Sequence, residues 1–226
     1  MKLSEDTLTI LKNFSSINDG IVIKPGKTLR TYSKNKAILA EATVSEEFPI
    51  EFGIHDLNKL LGLVSNNKKT PEVEFEENFL TLKSLGSVRL RYTQPSLIFQ
   101  PPNKNVSVNY DVSFNLSSEV LNWIFSAASI LKCATIVVKS ETPNDEISIW
   151  AMDVKGAIVD DASVNIGKTS PVAFQAAFDI SNLKIIPGSY SVELSSIGVG
   201  KFSNTEKNIV YWVALEKNLS KFEKAE

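Results

Sequence analysis

An α+β chain of four βαβββ units, grouped two and two into similar halves, is what the sequence predicts, and three observations carry that prediction. One local pattern occurs four times: an extended apolar stretch, a small polar residue, then a short amphipathic helix, leading into Leu8, Leu57, Leu121 and Leu183. Its starts at Leu3, Ile54, Leu116 and Ile180 are 51, 62 and 64 residues apart, too far for a solenoid and about right for βαβββ units. Between the second and third copies, residues 94–105 have neither helical nor strand period and carry Pro95, Pro101 and Pro102, which marks a connector. The expected organisation is a first domain over 1–94, a connector over 95–109 and a second domain over 110–226.

The elements follow in order. Ser4 is placed to cap the first helix, with Glu5 and Asp6 in its first turn favourable to the helix dipole. Leu8, Ile10, Leu11, Phe14 and Ile17 face inward, and Glu5, Thr9, Lys12, Asn13 and Ser16 outward. In the second helix Leu57, Leu60, Leu61 and Val64 keep the i, i+3, i+4, i+7 spacing behind Asp56 as cap, with Lys59 off that face. The third repeats it with Leu121, Ile124, Phe125 and Ala128 behind Ser117, leaving Glu119, Asn122, Ser126 and Ser129 outside. The fourth is stunted: Pro187 and Gly188 leave 182–186 room for little more than one turn. Strands are predicted over 20–24, 27–32, 37–44, 73–75, 79–83 and 88–92, then over 135–139, 147–152, 157–161, 172–178, 189–194, 199–202 and 209–215. Turn residues divide them at Pro25-Gly26, Asn35, Glu77-Asn78, Pro143-Asn144-Asp145 and Pro187-Gly188.

Composition excludes several classes. With 226 residues and 43% hydrophobic content the chain can bury a real core. No run approaches the roughly 20 apolar residues of a membrane-spanning helix, and Met1-Lys2-Leu3-Ser4-Glu5-Asp6 turns polar at once, so neither a membrane anchor nor a signal peptide is expected. One cysteine, Cys133, cannot make an internal disulfide, which fits a reducing, cytosolic compartment. The net charge of −2 hides a segregation: residues 20–40 carry Lys24, Lys27, Arg30, Lys34 and Lys36 with no acid, and 141–161 carry six acids against Lys155. Any surface for nucleic acid must therefore be local.

Catalytic and metal chemistry find little support. His55, the single histidine, falls at the start of the second helix, where capping or surface exposure is the ordinary role, and a dyad with Cys133 would join two lone residues from different halves. Gly198-Val199-Gly200-Lys201 superficially resembles a phosphate loop but lacks its first glycine, and Phe202 stands where Ser or Thr belongs, so it reads as a turn. Asp153, Asp160 and Asp161 have neither a calcium-loop glycine nor a histidine beside them and read as a solvated acidic segment. Trp123, Trp150 and Trp212 read as core or interface aromatics.

Taken in order, Met1-Lys2-Leu3-Ser4, Leu11-Lys12-Asn13-Phe14, Ile17-Asn18, Ala40-Glu41-Ala42, Asp56-Leu57-Asn58, Leu61-Gly62, Pro187-Gly188 and Val213-Ala214-Leu215-Glu216 resemble segments of the DNA sliding clamps of T-even-type bacteriophages. The resemblance covers nearly the whole chain and is densest in the first 65 residues and from Phe178 onward. It implies the DNA clamp fold, with helices inside and antiparallel sheets outside, in a homotrimeric ring around duplex DNA. It also implies an ATP-driven clamp loader and a replicative DNA polymerase as partners, a role in late transcription, no cofactor, no catalysis, and a place in the infected host's cytoplasm. The alternative is a phage structural protein that forms a ring or tube without tethering anything to DNA.

On that resemblance, lysines on the wet faces of the helices meet the duplex: Lys12, Lys59 and Lys132 first, then Lys68, Lys69 and Lys184. Glu5 and Glu119 lie near the same faces, so a weakly positive hole is expected, in which topology retains the DNA. Partner tails would dock on Leu97, Ile98, Phe99 and Pro101 of the connector and on Val213, Ala214 and Leu215 of the last strand. Ring closure would pair a strand over 88–92 with one in the 162–176 region of the next subunit.

Overall fold

The computed structural model describes residues 1–67, 70–102, 107–153 and 160–223. The chain divides into two compact units, Met1–Lys104 and Asn105–Glu226, so the division falls inside the stretch read as connector.

In the first unit helix α1 (Glu5–Ile17) begins where Ser4 predicts, its hydroxyl accepting the Thr7 amide at 3.2 Å. The buried stripe is Ile10, Leu11, Phe14 and Ile17. Strands β1 (Ile21–Ile23), β2 (Gly26–Tyr32), β3 (Ile38–Phe48) and β4 (Phe52–Ile54) follow, with β2 antiparallel to β3 and β1 to β4. Helix α2 (Leu57–Ser65) starts behind Asp56, whose carboxylate accepts the Lys59 amide at 2.9 Å. Strands β5 (Glu72–Phe75), β6 (Phe79–Lys83) and β7 (Ser87–Arg91) form an antiparallel meander, followed by a 3-10 turn at Pro95–Leu97. Phe48, Phe52, Phe75 and Tyr92 join in one aromatic cluster with ring centroids 5.0 to 6.2 Å apart.

Glu46 ties β3 to the start of α1. Its carboxylate accepts the Ser4 amide and the Thr7 hydroxyl, two donors at the positive end of the helix. Burial pushes the Glu46 pKa up, but these hydrogen bonds outweigh it and hold the group at about 2. Because the folded value is depressed, Glu46 stabilises the fold fully above the unfolded carboxylate range, and the contribution fades as pH falls toward 2. Discounted for solvent screening, it amounts to about 1–2 kcal/mol. Urea titrations at pH 5 and pH 2 should show the wild type losing that much more than Glu46→Gln; equal losses would mean the carboxylate does not hold the helix end.

The second unit repeats the plan with one element missing. Strand β8 (Val112–Leu116) leads into helix α3 (Ser118–Leu131), capped by Ser117, whose hydroxyl accepts the Val120 amide at 3.2 Å. Strands β9 (Thr135–Ser140), β10 (Glu146–Met152), β11 (Ala162–Thr169), β12 (Phe174–Asp179), β13 (Tyr190–Ser195), β14 (Val199–Asn204), β15 (Ile209–Ala214) and β16 (Lys221–Phe222) complete it. One sheet runs in the order β11-β10-β9-β12-β16, and β8, β13, β14 and β15 pair in that order in another, all antiparallel. Of Gly198-Val199-Gly200-Lys201, read as a turn, only Gly198 belongs to the β13–β14 turn, at φ +101°; the other three open β14, where Lys201 pairs with Glu193 at 2.6 Å.

Three expectations are corrected. The strand read over 157–161 is displaced: 160 and 161 are not in a strand, 157–159 lie outside the described residues, and the strand is β11. Its residues alternate between half-buried and exposed, so its sequence carries little of the apolar period that marks the others. The fourth helix is a single 3-10 turn at Ile180–Asn182, opened by the Asp179 carboxylate, earlier than the 182–186 predicted. Leu8 and Leu61, read as core, are half-buried instead, because they floor an open groove between α1 and α2.

Two buried tyrosines replace the missing helix. The Tyr190 hydroxyl donates to the Ile186 carbonyl, and the Tyr211 hydroxyl accepts the Ile186 amide at 3.2 Å, so the backbone before Pro187 is satisfied without helical partners. Burial pushes the Tyr190 hydroxyl up to about 12 and that of Tyr211 up as well. Tyr211→Phe leaves the Ile186 amide buried without an acceptor and should cost about 1–3 kcal/mol in denaturant titration. A change within experimental error would show that this bond does not hold the segment.

Candidate functional site

The connector is held to the first unit at four points. The Asn18 side-chain amide donates to the carbonyls of Phe99 at 3.0 Å and Tyr32 at 3.2 Å. The Phe99 ring stacks on Tyr32 with centroids 5.6 Å apart. Arg30 donates to the Pro102 carbonyl at 3.2 Å and pairs with Glu41 at 3.0 Å. Ile98 is buried against Gly20 and Gly53, which have no side chains to keep it out.

This tethering sorts the docking candidates. Leu97 is 70% exposed and Phe99 38% exposed, and Pro101 is half-buried. Ile98 is buried, as are Val213 and Leu215, with Ala214 between them half-buried. Exposure of all seven is therefore corrected: alternation along β15 turns Val213 into the core of its own unit, and Ile98 serves as the connector's anchor. Leu97 and Phe99 are exposed and Pro101 is half-buried, all three within the first unit.

The lysines are placed as follows. Lys12 is exposed on α1 and lines the α1–α2 groove of about 540 Å³ beside Thr9, Asn58 and Ser65. Lys59 is exposed on α2 but does not line that groove. Lys132 is exposed at the C-terminal cap of α3, in the left-handed conformation with φ +58°. Lys184 is exposed in the non-helical segment after the 3-10 turn. Lys68 and Lys69 lie outside the described residues. Glu5 is exposed in the same groove as Lys12, and Glu119 is exposed in the first turn of α3.

Sequence reasoning missed two features. In the first unit α1 packs against α2, whereas α3 packs chiefly against β10 and β11. Trp123 (49% exposed) and Ile130 (79% exposed) consequently lie open on α3, one full turn-pair apart. Trp123 was read as a core or interface aromatic, and its exposure excludes the core: it lies between the buried Leu121 and Ile124 in sequence but on another face of α3. Asn18, the connector's clamp, carries no sequence signal beyond following a helix.

Burial, with Asp153, Asp160 and Asp161 nearby, pushes the Cys133 thiol up, away from the thiolate a nucleophile needs. Its sulfur instead faces the Asp160 carbonyl at 3.9 Å. Among the described residues no three His, Cys, Asp or Glu side chains converge to hold a metal ion, and no helix is long and apolar enough to cross a membrane.

Comparison with solved structures defines the class. The chain superposes on the A. fulgidus PCNA solved with the C-terminal region of FEN-1, with a TM-score of 0.72 at 11% identity over 95% of this chain and 96% of that one. It also superposes on the Helicobacter pylori beta clamp bound to a DNA ligase peptide, with a TM-score of 0.69 at 12% identity over 95% of this chain and 64% of that one. At such identities the likeness shows the fold, and the fold is the DNA clamp.

Sequence relatives narrow it further. Residues 4–88 match the family model "DNA polymerase processivity factor". The chain is 28% identical over 222 residues to the sliding clamp of Vibrio phage KVP40, spanning 96% of this chain and 99% of the relative. It is 29% identical over 235 residues to that of Enterobacteria phage T4, spanning 96% and 97%. The chain is similar along 96% of its length to the sliding clamps of these phages. A ring- or tube-forming structural protein is not favoured.

Proposed function

We infer that this chain is a sliding clamp that encircles duplex DNA and tethers the replicative DNA polymerase during phage DNA replication, itself performing no chemistry. The single observation that carries the reading is the likeness to phage sliding clamps along 96% of the chain. In this reading 1–94 and 110–226 are the two clamp domains and 95–109 the connector. Three copies close a ring, an ATP-dependent loader places it on DNA, and it works in the infected host's cytoplasm, with late transcription as a second use.

Two structural features support assembly. Strand β7 pairs only with β6 and β11 only with β10, so each keeps a free edge among the described residues. Free edges on soluble proteins are usually blunted or paired, and head-to-tail pairing of β7 with β11 of the next copy would remove both. For sliding, Lys12, Lys59, Lys132 and Lys184, with Lys68 and Lys69, supply cationic contacts to phosphate that fix no register.

A duplex carries one charge per roughly 1.7 Å, and a protein held only by phosphate contacts loses about 10³–10⁵ in affinity between 50 and 200 mM salt. Glu5 beside Lys12 and Glu119 on α3 keep this interface weakly positive, so topology holds the DNA. Native mass measurement should give a trimer, and rings loaded onto nicked circles should survive salt that strips ordinary DNA-binding proteins, yet run off once the circle is cut. A monomer by mass, or equal loss from cut and uncut DNA, overturns the reading.

A further inference from the structure

The sheet β11-β10-β9-β12-β16 has two edges of opposite character. At one, β11 pairs only with β10 among the described residues and is open. At the other, β12 is closed by the segment 216–223, which runs back along it. The outward backbone groups of β12 are taken one after another. The Glu223 amide donates to the Ala173 carbonyl at 3.0 Å, Lys221 pairs with Gln175, the Ala177 amide donates to the Ser220 hydroxyl at 3.0 Å, and the Ala177 carbonyl accepts the Glu216 amide at 2.8 Å. The Gln175 side chain holds the turn before β16 by donating to the Leu219 carbonyl at 2.7 Å, and the Phe222 ring stacks on Phe174 with centroids 5.7 Å apart.

Uncovered, β12 would be a hazardous edge. It carries Phe174, Ala176, Ala177 and Phe178 with Asp179 as its one charge, whereas exposed edges of soluble proteins are ordinarily short or charged. β16 puts such an edge in its place: two residues long, with Lys221 and Glu223 exposed. The meander that carries β7 shows the same device, since Met1-Lys2 closes β5: the Met1 carbonyl accepts the Val73 amide at 2.6 Å, and the exposed Lys2 bridges to Glu72. We propose that β16 is an edge cover that confines pairing between copies of this chain to β11, and so lets a ring close. The proposal rests on the reading of the chain as a ring of head-to-tail copies, and it adds what keeps that ring from branching. A second copy is the competitor that β16 excludes, because β7 of every copy is an open strand and a bare β12 would offer it an alternative to β11. A copy added at β12 makes a contact whose rotation differs from that at β11, and a heterologous contact that does not close builds open chains.

The test compares the full-length protein with a chain ending at Asn218, by native mass and sedimentation over about a hundredfold range of concentration. The wild type should stay a trimer, and the shortened chain should shift to species larger than a trimer that grow with concentration. If near-ultraviolet circular dichroism shows the shortened chain unfolded, the full-length Phe222→Ser, Glu223→Pro double variant takes its place. It removes the ring stack and the amide given to Ala173 without shortening the chain, and should show the same shift with its near-ultraviolet spectrum retained. Folded variants that remain trimers overturn the edge cover and leave the ring standing. A monomeric wild type overturns the ring reading and the proposal that rests on it. A double variant that loses its near-ultraviolet spectrum shows that β16 holds the fold itself, and that also overturns the proposal.

Discussion

Gly53→Ala is expected to destabilise the first unit by about 3 kcal/mol, a large share of the roughly 5–15 kcal/mol that keeps a domain folded. A methyl group there would run into the Thr93 carbonyl oxygen and lie 2.8 Å from Cδ1 of Ile98. Relief by a backbone shift is closed off, because the Gly53 carbonyl accepts the Thr93 amide at 2.9 Å in the bridge that fixes the start of the connector. The added carbon therefore pushes Ile98 out of its seat, and the connector loosens with it. Gly62→Ala is the internal control: a methyl there meets nothing within 4 Å in the middle of α2, and it should stabilise by about 0.5–1 kcal/mol. Denaturant titration of both variants, with protease cleavage of the connector as a second readout, checks the pair. Wild-type stability of Gly53→Ala would refute the anchoring role given to Ile98.

Leu97→Asp is expected to separate partner binding from folding. The side chain is 70% exposed and sits at the end of the 3-10 turn, so its replacement removes almost no buried surface and should leave the melting temperature nearly unchanged. A carboxylate in an apolar docking patch forfeits an anchor and is desolvated on binding, a loss of about 2 kcal/mol or more, or roughly 30-fold in affinity. Primer extension on a circular template with loader and polymerase should accordingly yield short products from the variant, while its native mass matches that of wild type. Full-length products from Leu97→Asp would remove the connector from the docking surface. Phe99 is the less clean probe, because its ring also stacks on Tyr32 and a truncation would disturb the connector itself.

Much of the fold was legible because its signals are local. Ser4, Asp56 and Ser117 cap the helices they were assigned, since a short polar side chain before an amphipathic run has one favourable use. Strands with strict alternation, such as β10 and β15, were found for the same reason. β11 was misplaced because its side chains are only half-buried or exposed, so burial left no period to read. Leu8 and Leu61 were assigned to the core because a 3.6-residue period identifies the face toward a neighbour without telling a sealed contact from a groove floor.

The sequence by itself determined the repeated plan of strands and short helices, the starts of α1, α2 and α3, and the curtailment of the fourth helix before Pro187 and Gly188, all of which rest on local backbone preferences and short-range periodicity. Only the tertiary structure decided that Ile98 is an anchor and Leu97 is exposed, that Glu46 from β3 closes the end of α1, and that Tyr190 and Tyr211 stand in for the missing helical bonds. It likewise brought Lys24 and Arg30 to the edge of the connector. Each of these depends on a pairing between residues tens of positions apart, and a one-dimensional pattern records which way a side chain points along its own element, not what meets it there.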